Sequence, residues 1–228
     1  GASVRGRTGA PGHRGTGAPE PRYAGALLVP MDDSQANHLK AYGIAYAAIA
    51  RTGRVEWLLN YRGGAFLLTD DAEARRAATL AGVAVEAVGD AQVVAIRGTI
   101  EQANMDAVIL ERVPRVAIYS PPFAPPWDDA VTMALQYAEI PFTKVWDADV
   151  VAGRLRDYDW LHLHHEDFTG QSSKFFLNYE GTPWLAEMVA RNTAVARQLG
   201  FRDVPAAKKA VALRIRQFVE QGGFLFAM

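Results

Sequence analysis

The sequence predicts an α/β protein with a largely parallel sheet flanked by helices, built as two units that divide near Pro114. Three observations predict this. Short apolar runs alternate with helical patterns of ten or more residues, the rhythm of crossover-connected parallel strands. Half of the 228 residues are hydrophobic and 10% are aromatic, enough for one large core or two smaller ones. After Pro114 the strand and helix rhythm restarts cleanly. The expected organisation is a disordered leader over 1–22, an N-terminal α/β unit over 23–113 and a second α/β unit over 114–228, with an insertion at about 168–204.

Residues 1–22 are Gly, Pro, Arg, Thr and Ala with almost nothing large and apolar, a composition that cannot offset the entropy of ordering. Ala24–Met31 is an apolar run fit for a buried strand, and Asp32-Asp33-Ser34 offers N-cap chemistry for a helix through Thr52. The inner face of that helix is expected to carry Leu39, Tyr42, Tyr46 and Ile49. Val55–Asn60 reads as a strand, followed by Tyr61-Arg62-Gly63-Gly64, either a plain turn or a backbone nest for an anion with Arg62 beside it. Ala65–Thr69 is a further strand. Asp70-Asp71 opens a helix ending near Gly82, Val83–Val88 is a strand, Asp90 caps a helix to about Gln102, and Asp106–Leu110 is a strand.

In the second unit Arg115–Tyr119 is a strand and Ser120–Pro126 a stiff, proline-rich loop. Trp127-Asp128-Asp129 opens a helix to about Glu139. Pro141–Trp146 is the next strand, Asp147 or Asp149 caps a helix to about Arg156, and Asp159–His165 is the third strand. The insertion that follows holds a helix with Thr182 as N-cap, Pro183 at its first position and Gly200 as terminator; a lid over the strand end and a packed structural excursion are both open readings. Pro205 starts a helix with the apolar stripe Val211, Ile215, Phe218 and Val219, and Gly222-Gly223 turns into a final strand. That strand stops at Met228 and the chain starts at Gly1, so a fragment is expected.

Charge and cysteine content narrow the function classes. Lys plus Arg (24) nearly balances Asp plus Glu (25), so nothing in the overall charge draws the chain to nucleic acid. No run approaches the roughly 18 apolar residues of a membrane span. With zero cysteines, a disulfide framework, a thiolate metal site and a cysteine nucleophile are excluded within these residues. A small-molecule ligand or substrate is the expected partner.

The chemistry is concentrated after the third strand of the second unit. Three of the five histidines, His162, His164 and His165, fall within four positions, with Glu166 and Asp167 directly behind them. A parallel strand emerging there places them at the sheet edge where open α/β folds bind ligands. His164, His165, Glu166 and Asp167 are the expected catalytic group, because a histidine oriented by a carboxylate can accept a proton from a nucleophile. Alternation along a strand puts His162, His164 and Glu166 on one face, the two histidines roughly 6 to 7 Å apart at about 3.3 Å rise per residue. They therefore form an alternative zinc or iron site; otherwise no cofactor is expected. Trp127, Asp128 and Asp129 would lie at the same edge, and Asp32, Asp33 and Arg62 at the corresponding edge of the first unit, as substrate-binding residues. For the carboxylates at helix starts, simple capping is the competing reading.

The order strand, helix, strand, helix, Tyr158-Asp-Trp strand, then Phe218-Val-Glu-Gln-Gly-Gly-Phe-Leu-Phe-Ala-Met228, resembles the opening half of a class I glutamine amidotransferase-like, flavodoxin-like domain over about 114–228. More specifically, Pro30-Met-Asp-Asp33, Asn37-His-Leu-Lys-Ala-Tyr-Gly43, Trp57-Leu-Leu-Asn-Tyr-Arg-Gly-Gly64, Pro126-Trp-Asp-Asp-Ala-Val-Thr-Met133 and Asp159-Trp-Leu-His-Leu-His-His-Glu-Asp-Phe-Thr-Gly-Gln171 are similar to a bacterial family labelled asparagine synthetase B. The N-terminal cysteine and the Ser-Gly-Gly-x-Asp-Ser loop of glutamine-dependent asparagine synthetases do not occur in these residues. The resemblance implies an amidotransferase-like hydrolase whose nucleophile, usually cysteine, falls just beyond Met228. A non-catalytic ligand-binding module of the same fold and a metal-dependent hydrolase on His162 and His164 are the alternatives.

Overall fold

The structure is a computed structural model and describes residues 25–124, 129–163 and 178–227. The expected leader and the catalytic group His164, His165, Glu166 and Asp167, with Trp127 and Asp128, lie outside the described residues.

The first unit runs β1 (Ala26–Val29), α1 (His38–Thr52), β2 (Val55–Leu59), β3 (Phe66–Thr69), α2 (Ala72–Ala81), β4 (Glu86–Val88), α3 (Asp90–Gln102) and β5 (Asp106–Leu110). Its strands form one sheet in the order β4-β1-β3-β2-β5, and every neighbouring pair is antiparallel. The expectation of a largely parallel sheet is corrected here. Residues 60–65 between β2 and β3 hold only one 3-10 turn, Tyr61–Gly63, whereas a parallel crossover needs about a dozen residues or more. β2 and β3 therefore form a hairpin, and β3 inserts between β1 and β2, giving the β-α-β-β-α-β order of a split βαβ unit.

Both faces of this sheet are covered. Leu27, Val29, Phe66 and Leu68 pack against Ala41, Ala45 and Ala48 of α1 and Ala74 and Ala78 of α2, while Leu28, Leu58 and Leu67 meet Val93, Ile96 and Ile100 of α3. That is why β1 is an unbroken apolar run: neither face reaches water. The buried face of α1 is Ala41, Ile44, Ala45, Ala48 and Ile49, with Leu39 and Tyr42 exposed. The small residues let the helix lie close to the sheet, and the larger Leu39 and Tyr42 are left outside. The cap of α1 is Asn37, whose side chain accepts from Lys40 N, rather than Asp32-Asp33-Ser34.

The second unit runs β6 (Val116–Tyr119), α4 (Ala130–Tyr137), β7 (Phe142–Val145), α5 (Asp147–Val151), β8 (Trp160–Leu163), α6 (Pro183–Gln198), α7 (Val204–Glu220) and β9 (Phe224–Ala227). These strands form a parallel sheet in the order β7-β6-β8-β9. α4 covers the face that carries Val116, Ile118 and Trp160. α5 and α7 cover the other, which carries Ala117, Tyr119, Val145, Leu161 and Leu163. The chain thus leaves β6 for β7 across one face and β8 for β9 across the opposite face. The connections diverge between β6 and β8, which makes that gap the topological switch point.

The units meet through α1 and α4. Lys40 pairs with Glu139 at 2.7 Å, Asn37 Nδ2 donates to the Tyr137 hydroxyl at 2.7 Å, and the Tyr46 hydroxyl donates to Pro114 O at 3.3 Å. Gly43 permits the approach, since a Cβ there would lie 1.9 Å from Ala138 O.

Candidate functional site at the carboxyl edge of the parallel sheet

Three segments converge where β6 and β7 end. Tyr119 is the last residue of β6, Asp147 the first of α5 directly after β7, and Lys208 lies in the opening turns of α7. All three are buried, at 0%, 4% and 3% exposure. Lys208 Nζ donates to the Tyr119 hydroxyl at 2.8 Å and to Asp147 Oδ1 at 3.0 Å, and the Tyr119 hydroxyl donates to the same Oδ1. The ammonium also stands 4.0 Å from the centre of the Trp146 ring, which packs on Tyr119 with centroids 4.5 Å apart. Trp146 is itself buried, and its Nε1 has no hydrogen-bond partner among the described residues. Ser120, also buried, follows Tyr119, and its N–H donates to Val145 O at 3.1 Å, extending the ladder to the loop.

None of Tyr119, Asp147 or Lys208 was among the residues picked out of the sequence as a site, yet one signal was present. Lys208, Val211, Ile215 and Phe218 share the helical spacing of one face. A lysine on an apolar stripe needs a buried partner. Of the two expected cap candidates, Asp147 and Asp149, the cap contact of α5 is made by Asp149, which accepts from Trp146 N at 3.1 Å.

The predicted site residues divide between roles. Asp129 is buried and caps α4, accepting from Val131 N at 2.9 Å and from the Thr132 hydroxyl at 2.6 Å. His162 lies within the sheet, opposite Ile118 and Phe226 in register, with its ring stacked on Phe226 at 5.5 Å. Among the described residues no group of three or more His, Asp or Glu side chains can hold a metal ion; the other ligands of the zinc or iron alternative, His164 and Glu166, lie outside them.

In the first unit the structure brings Asp32 and Arg62 together and leaves Asp33 exposed. Arg62 Nε donates to Asp32 Oδ2 at 2.6 Å, Nη1 to Glu86 Oε1 at 2.6 Å and Nη2 to the Ser34 hydroxyl at 2.8 Å. The hydrogen bonds from Arg62 and Ser34 hold the Asp32 carboxyl far below the usual carboxylate range, and Asp32 and Glu86 push the guanidinium further up. Gly63 turns the chain with φ of 77°, where a Cβ would stand 2.4 Å from Met31 O. With its guanidinium clasped by two carboxylates, Arg62 locks the β2–β3 turn to the end of β1.

The insertion reaches this edge. The guanidinium of Arg191 on α6 stands 5.0 Å over the ring of Phe123, in the loop that follows β6, and α6 buries Leu185 and Ala196. Comparison of the chain with protein-family models, curated proteins and solved structures found no match.

Proposed function

We propose that the second unit binds a small molecule in the crevice between the carboxyl ends of β6 and β8 and acts there as an amidotransferase-like hydrolase. The observation that carries the reading is the strand order β7-β6-β8-β9 with helices diverging to opposite faces, because open α/β sheets bind ligands at that point of divergence. The buried Tyr119, Asp147 and Lys208 line the same edge, with Trp146, whose indole N–H has no partner among the described residues. His164, His165, Glu166 and Asp167 follow β8 directly in the sequence, and we assign the acid–base work to them. β9 runs parallel to β8 and ends at this edge too, where the amidotransferase-like pattern carries its nucleophile.

Ammonia release from L-glutamine and a panel of small amides, measured on the protein expressed from its full coding sequence, tests the reading. Turnover that disappears in H164A and E166A is the expected result. A protein that hydrolyses none of them, yet is stabilised by one of the amides, is instead a ligand-binding module of the same fold. Stoichiometric zinc or iron in the purified protein, lost in H162A, would replace both readings with metal-dependent hydrolysis.

A further inference from the structure

We propose that Lys208 is a positioning residue of the switch-point crevice, acting through Tyr119 and Asp147 to set the two loops that leave β6 and β7. The inference rests on the reading of that crevice as the ligand site. An ion pair removed from water loses hydration that its mutual attraction repays only in part, so apolar residues of similar volume often serve stability as well or better. The neighbours of this pair on α5 and α7, Val150, Val211 and Ile215, show that apolar packing is available at the same layer. A purely structural buried network is also expected to satisfy all its members, whereas Trp146 Nε1 has no partner among the described residues.

The geometry gives the pair a different job. One ammonium reaches the terminal residue of β6 and the residue that follows β7 and its Trp146, holding side chains of both from a third element. Tyr119 continues into Ser120 and the proline-rich loop, and Phe123 of that loop meets Arg191 of the insertion. Lys208 itself stands on α7, the helix that follows the insertion and against which α6 packs. A single charge therefore ties the floor of the crevice to the elements that border it. Lys208 need not touch the ligand to matter, since small displacements of positioned groups are felt strongly in rate.

The decisive variant is D147N/K208M, which removes both charges, keeps an oxygen to accept from the Tyr119 hydroxyl and nearly preserves volume. Two measurements on the full-length protein are compared with wild type: amide hydrogen exchange over 119–124 and 146–152 at matched global stability, and the kcat and KM of ammonia release from L-glutamine. Faster exchange confined to those two segments, with kcat lowered about tenfold to a hundredfold and KM little changed, is expected; K208M and D147N alone should show the same segmental pattern. Exchange identical to wild type overturns the inference whether or not the protein hydrolyses glutamine, because that readout does not depend on activity. Altered exchange with kcat and KM both unchanged also overturns it and leaves the pair a structural element. Absence of glutamine hydrolysis in the wild type would count against the proposed function alone; stabilisation of the wild type by a small amide then takes the place of kcat, and altered exchange in D147N/K208M with that stabilisation undiminished overturns the positioning role.

Discussion

Taking away the ammonium of Lys208 while leaving Asp147 would strand a carboxylate that is 4% exposed. K208M is therefore expected to lower folding stability by about 3–5 kcal/mol, and D147N/K208M by much less, because the second change removes the uncompensated charge. Urea denaturation of the two variants checks this; equal losses would mean that packing around the methylene stem, not charge, sets the cost. How legible these residues were depended on what each showed locally. Lys208 sits next to Lys209, and two adjacent lysines read as a solvated face unless the stripe through Val211 and Ile215 is extended backwards. Tyr119 carries no local mark, and Asp147 only that of a residue at a helix start. Their meaning comes from a hydrogen bond across 28 positions of chain, which no periodicity records. Asp32 is expected at the sheet edge and Arg62 beside the Gly-Gly turn, and the structure joins them, with Ser34 and Glu86 as co-partners that leave Arg62 engaged within the protein.

At the level of elements, two glycines in helices should respond in opposite directions to the same substitution. Alanine is favoured over glycine within a helix by about 1 kcal/mol. At Gly98 in α3 a Cβ meets nothing within 4 Å, so G98A is expected to raise the melting temperature. At Gly43 the Cβ would lie 1.9 Å from the backbone oxygen of Ala138, and G43A should lower it by forcing α1 and α4 apart. Calorimetry of both variants settles the contrast; a stabilised G43A would show that the joint between the units yields freely. Most strands and helices could be read from apolar runs and turn residues, since those signals are local. Pairing direction is not local. The alternation of strands and helices pointed to a parallel sheet throughout, and only the second unit has one. In the first unit the brevity of residues 60–65 is the constraint that counts, because it leaves β2 and β3 only a hairpin, and β3 then pairs antiparallel with β1 as well as β2. The face of α1 is legible in part: Ile49 is buried as expected, but size and aromaticity also point to Leu39 and Tyr42, which lie exposed because close helix–sheet contact favours Ala41, Ala45 and Ala48.

Over the whole molecule, acid sensitivity should follow carboxylates that tie distant segments together. Asp159, at the start of β8, accepts from the backbone N–H of Arg115 at 2.9 Å and from its Nε at 3.0 Å, fixing the entry to β6. The Arg115 side chain, with help from its backbone N–H, holds the Asp159 carboxyl down to about 2, below its ordinary 3.8. A depressed carboxyl stabilises the fold above its ordinary value and loses that contribution as pH falls through the depressed one. Stability is thus expected to fall between about pH 4 and pH 2, and D159N should flatten that part of the profile while lowering stability at neutral pH. Melting temperatures recorded from pH 7 to pH 2 test the sign; parallel profiles for the two proteins would refute it.

The two sheets also differ in when they can be completed during synthesis. The antiparallel sheet has all its strands by Leu110, so the first unit can close while the ribosome is still making the rest. The parallel sheet cannot: β8 waits for β9, some sixty positions later in the chain. Until Phe224 and Phe226 arrive, the flank of β8 lacks the ring that meets Trp160 edge-on and the ring that stacks on His162. Nascent chains halted before residue 224 should therefore recruit chaperones through the second unit alone, with the first already native beside it.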